Sequence, residues 1–134
     1  MKMVIYTDGG ARGNPGPAAI GIIFLDLNKE YGEAIGEATN NVAEYRAVVF
    51  ALKKAKQLLG KKSAEADIEI RSDSELIVNQ LSGKYKVKDA DLKEFFVDVW
   101  NLKQDFGSVL FTHIPREKNK KADWLVNKTL NTLI

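Results

Sequence analysis

The chain has 134 residues, 45% hydrophobic and 28% charged, which is the make-up of a single globular domain, 1–134, and excludes a disordered segment. Cysteine is absent, which excludes disulfides, thiolate metal sites and cysteine nucleophiles. No run of about 18 apolar residues predicts a membrane span or membrane partner, no signal-peptide apolar region opens the sequence, so a cytoplasmic location is the default expectation, and the net charge of +2 is too small to argue alone for a nucleic-acid partner.

Residues 2–8 read as a first strand, apolar through Met3-Val4-Ile5 and closing on Asp8 before the tight loop Gly9-Gly10-Ala11-Arg12-Gly13-Asn14-Pro15-Gly16-Pro17. Ala18–Leu25 is apolar enough for a central, buried strand. A turn over 26–30 leads to a third strand, Tyr31–Thr39, whose Gly and Glu content gives an edge pattern. The period then lengthens: Val42, Tyr45, Val48, Val49, Leu52, Ala55 and Leu59 recur at helical spacing, with Asn40 or Asn41 as the expected N-cap and Gly60 as the stop. A surface connector, 61–66, precedes the alternating strand Asp67–Asp73. Ser74–Leu81 is a short helix, and Lys84-Tyr85-Lys86-Val87-Lys88 a basic loop. Leu92 to Leu102 forms a further amphipathic helix closed by Gly107, followed by strand five, Val109–Ile114. After a basic loop over 115–121, a last helix from about Lys120 places Leu125, Val126, Leu130 and Leu133 on one side. The order is βββαβααβα, an α/β domain with a mixed sheet.

Four carboxylates fall at element ends. Asp8 closes strand one, Asp73 closes strand four, and Glu44 and Asp123 lie in the first turns of the helices that follow strands three and five. If strands one and four are parallel neighbours, their C-terminal ends bring Asp8 and Asp73 together, and helix N-termini add the other two. Such a cluster raises its own pKa values, which a divalent cation relieves. Oxygen ligands without a His or Cys cluster favour Mg²⁺ or Mn²⁺, and two such ions can promote phosphodiester hydrolysis. Taken singly, each acid reads more readily as a turn residue or a helix-dipole partner. On spacing alone the two readings are evenly matched.

Four segments carry a family resemblance. Tyr6-Thr7-Asp8-Gly9-Gly10 with Gly13-Asn14-Pro15-Gly16-Pro17, Thr39-Asn40-Asn41-Val42-Ala43-Glu44, Ser72-Asp73-Ser74, and Asn119-Lys120-Lys121-Ala122-Asp123 stand in the order found in type 1 ribonucleases H and span nearly the whole chain. The chain resembles a short form of that family without its basic protrusion. The resemblance implies a ribonuclease H-like fold, with a five-stranded mixed sheet of three antiparallel and two parallel strands flanked by helices. It implies an endonuclease that cuts the RNA strand of RNA–DNA hybrids with two Mg²⁺ ions (Mn²⁺ as a substitute) and leaves 5′-phosphate and 3′-hydroxyl ends, acting as a monomer. Asp8, Glu44, Asp73 and Asp123 would hold the metals. Asn14, Asn40 and Asn41 would contact nucleic acid, Thr39 would help seat a DNA phosphate, and Gly9 and Gly10 would let the RNA backbone come close.

Three departures from the family pattern stand out. Glu75 occupies a place where many bacterial members have Gln. The Leu81–Ala90 connection is brief, so Lys84, Lys86, Lys88 and Tyr85 either supply part of the hybrid grip or form a solvated loop, and double-stranded RNA becomes a compatible further substrate because it is also A-like. The single histidine, His113, reads either as a catalytic residue or as a member of strand five, with Arg116 then taking over phosphate binding or leaving-group assistance. A non-catalytic hybrid-binding module and a small ATPase of the same broad fold are the competing functions; the first is disfavoured by the retention of all four acids, the second by the chain's size.

Overall fold

Strand β1 (Lys2–Ala11) is buried on both faces, since Met3 and Ile5 join one apolar layer while Tyr6 packs on the opposite side against Ile23, Ala122 and Leu125. A strand buried on both faces belongs in the middle of a sheet. The computed structural model, which describes residues 1–133, places it there: β2 (Gly16–Phe24) and β3 (Lys29–Ala38) follow antiparallel, and β4 (Asp67–Ser72) and β5 (Ser108–His113) add parallel, in the order β3-β2-β1-β4-β5. The expected five-stranded mixed sheet is therefore present.

Helices α1 (Asn40–Leu59), α2 (Glu75–Leu81) and α3 (Ala90–Lys103) cover the face carrying Ile5, Ile22, Ile68 and Ile70. The innermost stripe of α1 is Ala43, Ala47, Ala51 and Ala55, spaced one turn apart and fully buried. Small side chains there let the helix lie close on the strands, while the larger Val42, Val49 and Leu59 stay only partly buried. Helix α4 (Lys120–Asn131) covers the other face over β2 and β1, with Leu125, Val126 and Leu130 inward. It ends before Leu133, which is exposed rather than part of the apolar side.

Two strand glycines set these distances. A Cβ on Gly9 would lie 2.3 Å from the Ala43 carbonyl, and one on Gly21 would lie 2.3 Å from the Ala122 oxygen. Gly9-Gly10 is thus not a loop. It remains paired with Ile20 and Ala19 of β2, and α1 rests on Gly9. Gly10 differs, because its Cβ would meet only Val126 Cγ1, at 3.5 Å. In urea denaturation, Gly9→Ala is expected to cost about 3 kcal/mol and Gly10→Ala less than about 1 kcal/mol; equal losses would refute the close approach of α1.

Other boundaries moved for local reasons. Thr39, not Asn40 or Asn41, caps α1, its Oγ1 accepting from the Val42 amide at 3.2 Å. The connector after Gly60 is a 3-10 helix, Gly60–Glu65. Ser74 caps α2, and α3 ends at Lys103 rather than running to Gly107, whose amide bonds back to the Ala66 carbonyl.

Candidate active site

The parallel ladder between β1 and β4 ends at the pair Thr7–Ser72. The next residue on each strand is an aspartate, so Asp8 and Asp73 emerge side by side at one edge. Asp8 still pairs with Gly21 of β2, which holds it within a strand instead of at its end. Asp73 is bracketed by Ser72, whose Oγ accepts from the Ser74 amide, and by Ser74, whose own Oγ accepts from Ile77. Because α1 begins at Asn40, Glu44 lies beyond its first turn, and its Oε1 accepts from the Gly9 amide at 2.8 Å. Oxygens of Asp8, Glu44 and Asp73 all come within 4.8 Å of one another. Asp123, in the first turn of α4, falls outside that trio but is close enough for its charge to act on Asp8.

The electrostatics follow from this crowding. Burial pushes the Asp8 carboxyl up to about 8; Asp73 and Asp123 add to the rise, and the Gly9 amide opposes it. Glu44 is raised well above the ordinary range, first by desolvation and then by Asp8 and Asp73, while the Gly9 amide and the Arg116 charge pull it down. Carboxylates that destabilise one another in an open, polar cleft of about 540 Å³ fit a hard divalent cation. The donor set is oxygen only, and the histidine lies elsewhere.

Asn119 organises the edge. It occupies the N-cap position of α4 but does not cap it. Its buried Nδ2 turns inward and donates to the Thr7 carbonyl at 2.9 Å and to Asp73 Oδ2 at 3.1 Å. The sequence placed Asn119 in a motif without giving it a task. An Asn four residues before an inward-facing helix acid was the available signal.

The remaining sequence-derived residues divide by place. Asn40 lines the cleft; its Oδ1 accepts from the Ala11 amide, and its own amide donates to Asn14 Oδ1. Asn41 is exposed beside it at the start of α1. Gly9 and Gly10 line the cleft, but the Gly9 amide is taken by Glu44 and its close neighbour is α1. Arg116, in a 3-10 turn after β5, also lines the cleft. His113 does not: it is the exposed last residue of β5, in register with Ser72. Lys84, Lys86 and Lys88 are exposed, yet their loop is anchored, since Gln80 donates to the Lys86 carbonyl and accepts from Tyr45. Glu75 is exposed in the first turn of α2, where an acid suits the helix dipole.

A family model described as reverse transcriptase-like matches residues 6–129. The ribonuclease HI of Halobacterium salinarum is 41% identical over 130 residues, covering 94% of this chain and 63% of that protein. The bifunctional protein Rv2228c of Mycobacterium tuberculosis is 40% identical over 136 residues, covering 98% of this chain but 36% of its own length. The chain therefore spans less than two-thirds of either relative. Among solved structures, LC11 ribonuclease H1 in complex with an RNA/DNA hybrid superposes with a TM-score of 0.90 at 47% identity, over 97% of both chains.

Proposed function

The chain belongs to the ribonuclease H family, and on that premise we propose that it is an endonuclease hydrolysing the RNA strand of RNA–DNA hybrids, using two Mg²⁺ ions and leaving 5′-phosphate and 3′-hydroxyl ends. The observation that carries this reading is the convergence of Asp8, Glu44 and Asp73 within 4.8 Å, with Asp123 against Asp8, on the floor of an open cleft. These four acids would hold the ions. When bound, such ions supply Lewis-acid stabilisation of the charge that develops on a phosphodiester.

The chain's own groups prepare that site. Asp8 is buried and feels or exerts charge on each of the other three acids, which suits a shared ligand. Glu44 is oriented by the Gly9 amide, and Asp73 by Asn119. Asn40 and Asn14 spend their carbonyl oxygens on backbone amides, which fixes both side chains and leaves each Nδ2 to donate to substrate. A ribose 2′-hydroxyl accepts such a bond, and a deoxyribose offers nothing in its place. Thr39 accepts from Val42 and keeps its hydroxyl proton for a DNA phosphate. Arg116 brings a cation to the carboxylate edge, where it can meet the phosphate chain; His113 has no place there.

One gel tests the proposal. Labelled hybrid, double-stranded RNA and single-stranded RNA are incubated with Mg²⁺, Mn²⁺ or EDTA. Cutting of the hybrid's RNA strand is expected with Mg²⁺ and Mn²⁺ and none with EDTA. An intact hybrid with both metals defeats the enzyme reading. Cutting of double-stranded RNA would widen the substrate class to A-like duplexes, which the short α2–α3 connection leaves sterically open.

A further inference from the structure

Two arginines line the acidic cleft, and only Arg116 has a part in the reading above. Arg12 projects from the loop after β1, whose backbone is pinned by the Arg12 amide donating to the Pro17 carbonyl at 2.8 Å. Its Nη2 donates to Asn131 Oδ1 and, more weakly, to the Asn127 carbonyl at 3.4 Å, so its guanidinium is held against the C-terminal half of α4. Both partners are neutral, and Arg12 makes no ion pair among the described residues. Nε and Nη1 keep their hydrogens free of protein acceptors among those residues. An exposed, oriented and uncompensated cation in a cleft floored by carboxylates is placed for an anion. It is also too distant for the scissile phosphate: Asn131 follows Asp123 by eight residues, about 12 Å along the helix. Between them, Val126, Leu130 and Gly10 give the cleft an apolar bed suited to sugar rather than charge.

Building on the nuclease reading, we infer that Arg12 clamps a flanking phosphate of the RNA strand, away from the cut, and thereby sets how far a hybrid must extend beyond the cleavage position on that side. Its fork geometry suits a phosphate, with Asn131 and Asn127 limiting the rotamers it must lose on binding. A structural role is the alternative, since a cation near a helix C-terminus is favourable by itself. That role would affect melting and leave binding alone.

The test is hybrid affinity, measured in Ca²⁺ over a range of salt concentrations. Arg12→Ala is expected to weaken binding roughly five- to thirtyfold and to lower the salt slope by about 1, with Arg12→Lys in between. A set of hybrids, each with one neutral methylphosphonate in the RNA strand, locates the contact. At one linkage away from the cut the wild type should lose the same factor, and Arg12→Ala should lose nothing more. Unchanged affinity and slope in Arg12→Ala, or equal penalties in both proteins at every linkage, overturn the inference. Should Arg12→Ala melt early, Arg12→Gln keeps a donor for Asn131, drops the charge and carries the same comparison. Wild-type cleavage in Mg²⁺, scored in parallel, tests the nuclease reading separately from this binding readout.

Discussion

Asp8→Asn is expected to lower hybrid cleavage by on the order of 10³-fold or more and, in the same protein, to raise metal-free stability. Both effects have one origin. Asp8 is buried, lies within reach of Glu44, Asp73 and Asp123, and has its carboxyl pushed up to about 8. A folded-state value above the ordinary 3.8 means that the folded chain holds the proton more tightly than the unfolded chain. Without metal, stability must therefore fall as pH rises from about 4 through 8, where the unfolded state has already released its proton. Asparagine keeps the shape and removes the charge. Asp8→Asn should gain about 2 kcal/mol or more over the wild type at pH 8.5 in EDTA, and should show a shallower decline between pH 5.5 and 8.5, with the part owed to the buried Glu44 remaining. Mg²⁺ should raise the wild-type Tm more at pH 8.5 than at pH 5.5, because the ion competes with protons for the same oxygens. Thermal melts at both pH values, with EDTA or Mg²⁺, decide the matter. Parallel pH slopes in the two proteins would remove Asp8 from the repulsive cluster, and retention of a tenth of the activity would remove it from the metal site.

Asn119→Ala should lose about 10- to 100-fold in activity, with the Mg²⁺ concentration for half-maximal rate moving upward. Asn119 is 1% exposed and touches no substrate; it acts by holding Asp73 Oδ2 and the Thr7 carbonyl in one grip. Alanine frees the Asp73 carboxylate to rotate and leaves the carbonyl without this donor. The stability cost should be nearer 1 than 3 kcal/mol, since Asn119 Oδ1 is itself a buried acceptor without a partner among the described residues and its removal offsets part of the loss. Asn119→Asp should be worse than alanine for activity, because it sets a further carboxylate against Asp73. A destabilised protein with normal Mg²⁺ dependence would show that Asn119 serves the fold alone. A shift in Mg²⁺ dependence at temperatures well below melting would show that it positions Asp73.

Much of the site was legible from local pattern, but its construction was not. Asp8 reads as the end of a strand because Gly-Gly-Ala looks like a loop. It lies inside the strand because β2 continues to pair with Gly9, Gly10 and Ala11 after β4 has stopped. Asn40 and Asn41 look like caps, yet Thr39 caps α1, and this releases Asn40 to line the cleft. His113 left two readings open, and register puts it opposite Ser72 on an exposed edge strand, outside the cleft. Gly9 carries a close-approach signal, but the neighbour that requires it is the backbone of α1.

Hydrophobic period was sufficient, by itself, for the order of the elements, because it depends on neighbours a few positions away, whereas the four acids stood out by residue type and element position but became a metal site only with the family resemblance. Tertiary structure alone decided which hydrogen-bonding groups are already occupied and which remain for substrate. Asn119 and Thr7 are separated by 112 residues, and no local pattern records that one amide spans them. The same holds for Arg12, whose two acceptors lie at the far end of the chain: a charge is visible in sequence, but its orientation and lack of a counter-charge exist only once α4 has docked on the sheet.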